Sequence, residues 1–124
     1  MDETGEIAAF YAARLDEEEA RAWAVHDVGQ CDALLYAEDM ADAARRDPDC
    51  NCGRPARTLR EIAAKRRIVA DCERAMSRQP GFNAGHARYG SPFPAPHANL
   101  AFRTLMSLVS AYDKHPEYKP GWKP

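Results

Sequence analysis

The sequence predicts a mainly α-helical fold: a small irregular helical bundle of three to four helices, with a long proline- and aromatic-rich loop and a docked C-terminal tail. Three observations carry the prediction. Apolar residues recur at three- and four-residue spacing around 4–25, 56–78 and 98–113, the period of a helix that buries one face. Proline falls between these stretches and never within them. The composition, 45% hydrophobic and 29% charged over 124 residues, is that of a folded chain and not a disordered one. That length suits one domain, 1–124, since domains usually run to roughly 100–200 residues.

The first helix is expected over 4–25, with Ile7, Phe10, Tyr11, Leu15, Ala22 and Val25 as its apolar set and Thr4 as its N-cap. Asp16, Glu17, Glu18 and Glu19 form an acidic run within it. A solvated face is the ordinary reading of such a run; the sharper one sets it against the basic face of the third helix in an antiparallel pair. Gly29 ends regular structure, and a second helix over 32–46 competes with a short strand over 33–37, because apolar runs this short are ambiguous. DPDCNCGRP, 47–55, is turn chemistry, and Pro55 suits a first helical turn, where its missing N–H is no loss.

The third helix, 56–78, has the strongest pattern. Leu59, Ile62, Ala63, Val69, Ala70, Cys72 and Met76 make an apolar stripe, while Arg57, Arg60, Arg67, Arg74 and Arg78 collect within roughly a quarter turn or slightly more. Arg66 falls inside the apolar stripe, where it either snorkels or is held by a carboxylate such as Glu18. Pro80 and Gly81 terminate the helix. A loop over 80–96 follows, carrying Phe82, His86, Tyr89 and Phe93; loops longer than about 12–15 residues are often functional. The last helix is expected over 98–113, with Leu100, Ala101, Leu105, Leu108, Val109 and Tyr112 as its apolar set. Tyr118 and Trp122 in the tail argue that it docks.

PARTLREIAAKRRIVADC (55–72), LAFRTLMSLVSAYDKHPEYKPGWKP (100–124) and FYAARLDEEEARA (10–22) together resemble a family of small uncharacterised proteins from actinobacteria and their phages, catalogued as a domain of unknown function. Its members typically carry a helix of the form ARxLREVxAKRRIVD, close on a segment like LRxLAxxYADHPxYRxEW, and open on FLxARLDEDExxA. Over 26–52 the chain departs from the family's proline-and-tryptophan turn and strand-like piece. The resemblance implies no reaction, ligand or cofactor, and it favours a phage or prophage origin.

Several function classes are set aside. The net charge of -2, from 17 basic and 19 acidic residues, gives no global attraction to nucleic acid or an anionic membrane. No apolar run approaches the roughly 20 residues of a membrane span, and the acidic start MDETGEIAAF is unlike a signal peptide, so a cytoplasmic location and no membrane partner are expected. GxSxG, phosphate-loop, dinucleotide and HExxH motifs are absent, and no catalytic residue is assigned.

Three readings remain. The leading one is a small non-enzymatic binding or regulatory protein without cofactor, concretely a phage accessory protein contacting a host protein, with homo-oligomers allowed. Its contact surface would comprise Phe82, Tyr89 and Phe93 with the five arginines. The alternative is nucleic-acid binding, Arg57, Arg60, Arg67, Arg74 and Arg78 contacting phosphates. The third is a zinc-stabilised module built from Cys50, Cys52, His26 and either Cys31 or Cys72. It ranks last because paired zinc ligands are usually two to four residues apart, whereas one residue separates Cys50 from Cys52, and because free cysteine is often a small buried hydrophobe.

Overall fold

The computed structural model describes residues 2–22, 24, 26, 31, 50–89 and 95–124, the side chains of His86, Arg88 and Tyr89 excepted. All regular structure among them is helical: α1 (Glu3–Ala22), α2 (Arg54–Ser77), α3 (Ala84–Tyr89) and α4 (Pro96–Val109), with 3-10 turns at Ser110–Tyr112 and Pro120–Trp122. The fold class is therefore mainly α, as the apolar periodicity predicts. The expected helix or strand within 32–46 lies outside the described residues. The chain divides into two compact units, Met1–Ala13 with Arg66–Pro124, and Arg14–Lys65.

In the first unit, α1 starts one residue earlier than its spacing suggested, and Asp2, not Thr4, is its cap. The Asp2 carboxylate accepts from the Gly5 backbone N–H at 2.8 Å and from the Thr4 hydroxyl at 2.9 Å. Its carbonyl takes the first helical bond, from the Glu6 N–H. Those hydrogen bonds, the Gly5 N–H foremost, hold the Asp2 carboxyl below its ordinary value. The sign follows: the cap is present above about pH 4 and lost as the pH falls. Asp2→Ala is expected to lower stability at pH 7 by about 1 kcal/mol, and urea titration should show the difference vanishing near pH 2.

The core of this unit joins Ile7, Phe10 and Tyr11 of α1 with Val69, Cys72 and Met76 of α2 and Ala98, Ala101, Phe102, Leu105, Met106 and Val109 of α4, all buried. Pro96 opens α4 at a position where it forfeits no hydrogen bond. Two apolar assignments are corrected: Leu100 is 58% exposed and Ala63 of α2 is exposed. Each sits at the edge of its apolar arc, where periodicity cannot say how far the packed face extends. The predicted 80–96 loop is also corrected, since it contains α3. Six residues are too few to show a period, and Gly85 and the flanking prolines disguise the helix. Gly81, at φ +70°, makes the left-handed turn that ends α2.

The C-terminal tail is docked. Phe10 meets Tyr112, His115, Tyr118 and Trp122 at ring-centroid distances of 6.4, 5.4, 6.2 and 5.2 Å. Lys119 lies over the Trp122 ring and pairs with Glu6 at 2.7 Å; the two side chains are 58% and 41% exposed, so solvent screens the pair and it orients the tail more than it stabilises it. The Tyr118 hydroxyl is buried without a hydrogen-bond partner among the described residues, and burial, with Asp113 nearby, pushes its pKa up. Because the folded state holds this proton longer than the unfolded chain, stability falls as the pH rises through about 10. Tyr118→Phe is expected to be neutral or stabilising by up to about 1 kcal/mol and to weaken that alkaline loss in thermal melts.

In the second unit, Arg14–Lys65, the buried residues include Arg14, Leu15, Ala22, His26, Cys31, Cys50, Pro55 and Ile62. Arg14 was not singled out by the sequence; it lies on the buried side of α1 and pairs with Glu17 at 3.1 Å. The acidic run meets α2 through Glu18, whose carboxylate is 3.9 Å from the Lys65 ammonium. Arg66 of α2, the next residue along and part of the first unit, is half-buried.

Candidate metal centre

Between α1 and α2, the described residues His26, Cys31, Cys50 and Cys52 converge on one point. After α1, the Ala24 N–H bonds to the Arg21 carbonyl, which tightens the turn leading to His26. Ahead of α2, the Gly53 N–H bonds to the Cys50 carbonyl at 3.1 Å, closing a turn that lets Cys50 and Cys52 point their sulfurs to the same place. Gly53 has φ +64°, a conformation glycine adopts without steric cost. Its carbonyl then accepts from the Arg57 N–H to begin α2.

The donors so gathered are His26 Nδ1 and the Sγ atoms of Cys31, Cys50 and Cys52, all within 4.8 Å of one another. His26 Nδ1 is 3.1 Å from Cys31 Sγ, 3.1 Å from Cys50 Sγ and 3.7 Å from Cys52 Sγ, and Cys50 and Cys52 Sγ are 3.2 Å apart. A zinc tetrahedron with Zn–S of about 2.3 Å and Zn–N of about 2.0–2.1 Å has N–S edges of about 3.6 Å and S–S edges of about 3.8 Å. The 3.7 Å edge matches that scale, and the 3.1 and 3.2 Å edges are shorter than it by about 0.5–0.6 Å. A disulfide would need about 2.05 Å, and all three cysteines are free.

A cluster of neutral thiols around an imidazole is the plainer reading, and it is chemically poor. Thiols are weak donors and acceptors, whereas His26, Cys31 and Cys50 are 5%, 1% and 5% exposed, where an imidazole needs a good partner. Burial, then the Cys52 and Cys31 thiols packed against it, pushes the Cys50 thiol up to about 12. A divalent cation inverts that situation, since a coordinating thiol is deprotonated outright. Three soft sulfurs and one imidazole fit Zn2+. The N-terminus of α2, starting two residues after Cys52, favours the negative charge of the thiolates.

Of the two alternatives for the fourth ligand, Cys31 joins the cluster and Cys72 does not. Cys72 is buried on the apolar face of α2, and burial raises its pKa, with Asp71 and Glu73 adding to the effect. Arg57, Arg60, Arg67, Arg74 and Arg78 are all exposed; Arg57 pairs with Glu61 and Arg74 with Asp71 along the same helix. Phe82 is half-buried, its ring 6.1 Å from Phe102, so it belongs partly to the core. Phe93 and the Tyr89 side chain lie outside the described residues. Among the described residues no helix is long and apolar enough to cross a membrane.

The chain belongs to a family of unknown function, DUF6221, whose model matches residues 4–124. No curated protein and no solved structure matches it. From that membership no reaction or ligand follows.

Proposed function

We propose that this protein is a small, non-enzymatic binding module whose Arg14–Lys65 unit is held together by one structural zinc ion. The convergence of His26 Nδ1 with the sulfurs of Cys31, Cys50 and Cys52 carries the reading. Two ligands follow α1 and two precede α2, so coordination ties the end of one long helix to the start of the next. Four protein donors complete a tetrahedron and leave no position for a substrate or an activated water, as structural sites do and catalytic zinc sites do not. Ligation through Nδ1 leaves Nε2 of His26 to orient the ring by a hydrogen bond, the usual outer-shell arrangement.

Such a module works by presenting a surface, and a protein partner in the cytoplasm, contacted by a phage accessory protein, is the concrete form of our reading. Nucleic-acid binding has less support, because Arg57 and Arg74 are engaged by carboxylates of their own helix and the net charge is -2.

Metal content and cobalt substitution test the centre. Protein purified without chelator should carry about one zinc per chain, and less than about half an equivalent would count against the site. Replacement by Co2+ should produce sulfur-to-metal charge transfer in the near ultraviolet and the visible bands of tetrahedral coordination. Cys31→Ser should weaken both signals, whereas Cys72→Ala should leave them unchanged.

A further inference from the structure

We propose that the metal centre, on the zinc reading above, is also a peroxide-responsive switch in which Cys52 is oxidised first, Cys50 captures it as a disulfide, and the zinc is released. Accessibility and proximity make the argument. Cys31 and Cys50 are 1% and 5% exposed, whereas Cys52 is only partly buried, so a small oxidant in water reaches the Cys52 sulfur before the others. Metal-bound cysteine is thiolate, the nucleophilic form. The Cys50 sulfur stands 3.2 Å from it, in a turn closed by the Gly53 N–H, and is placed to resolve the oxidised sulfur before further oxidation.

The chemistry balances with hydrogen peroxide as oxidant. The Cys52 thiolate attacks one peroxide oxygen, the O–O bond breaks, and the departing hydroxide takes a proton to become water, leaving Cys52 as the sulfenic acid. The Cys50 thiolate then attacks the Cys52 sulfur, the S–O bond breaks, and a second hydroxide leaves as water. Two sulfurs have lost two electrons in total, and one peroxide has become two waters. Only His26 and Cys31 remain as ligands, and two donors cannot retain zinc at the affinity of four. The link between α1 and α2 is opened reversibly, because the disulfide is reducible by thiols.

The sequence makes the product easy to identify. Trypsin cuts after Arg46 and Arg57 but not at Arg54, which precedes Pro55, so Cys50 and Cys52 share one fragment, 47–57, while Cys31 and Cys72 fall in others. Zinc-loaded full-length protein should be treated with hydrogen peroxide in the presence of a metallochromic dye. The expected result is one zinc released with two thiols lost, fragment 47–57 lighter by two hydrogens, and recovery on adding dithiothreitol with zinc. Zinc retained under about a tenfold excess of peroxide, or released with Cys31 in the disulfide or with sulfinic acids in place of it, overturns the switch and leaves the zinc centre standing. Protein that carries no zinc and binds no Co2+ overturns both.

Discussion

Stripping the metal from the folded chain with a chelator is expected to lower its thermal midpoint by about 10–20 °C. A ligand that binds only the native state at a thousand times its dissociation constant contributes about 4 kcal/mol. For a chain of this size 1 kcal/mol corresponds to roughly 3–5 °C. Structural zinc is bound far more tightly than that in peptides of comparable donor set, so the range is conservative. The physical source is that His26, Cys31, Cys50 and Cys52 come together only in the folded chain, so the free energy of binding the metal adds to that of folding. His26→Ala and Cys50→Ser, melted with zinc present, should fall near the chelated wild-type midpoint and respond little to chelator. A buried thiol cluster without metal behaves differently. There, Cys50→Ser would lower the midpoint by burying an unpaired hydroxyl, but the wild type would ignore the chelator. A chelator shift below about 2 °C therefore eliminates the structural metal.

Phe10→Ala and Trp122→Ala should each destabilise the protein by about 3–5 kcal/mol. Phe10 of α1 meets four rings of the C-terminal region, and Trp122 is the nearest of those four at 5.2 Å. Removing either side chain leaves a cavity that a 3-10 turn and a proline-rich tail fill badly. The tilted pair contributes beyond its buried area by about 0.5–1.5 kcal/mol, so the double variant should fall short of the sum by a similar amount. Urea titrations of the wild type, both single variants and the double variant measure this. A cost below about 1 kcal/mol for Trp122→Ala would mean that the tail adheres without belonging to the core.

Much of the fold is legible because local rules set it. Pro55 sits in the first turn of α2, Gly81 takes the left-handed turn after α2, and the apolar periods of three helices mark most of their buried faces. Tail docking follows from the size of Tyr118 and Trp122 alone. Asp2 against Thr4 shows the limit of such rules: both residues can cap, and the choice depends on which carbonyl accepts the first helical bond. α3 is hidden because six residues carry no measurable period, and Leu100 because an apolar arc has edges that only packing draws. The burial of Arg14 left no mark in the sequence beyond Glu17 three residues on.

The candidate centre divides along the same line. Spacing alone determines that the chain is helical and offers His26, Cys31, Cys50, Cys52 and Cys72 as candidate ligands for a soft metal, and the sequence match over residues 4–124 places the chain in its family. Only the tertiary structure decides which four meet. Helical signals are local, since each residue's neighbours at three and four positions are fixed by the chain itself. A ligand set drawn from both sides of residues 32–49 is not, because Cys31 and Cys50 are far apart in sequence and only the fold brings them together. One-residue spacing made Cys50 and Cys52 look unlike a zinc pair, until the Gly53 turn aimed both sulfurs at His26.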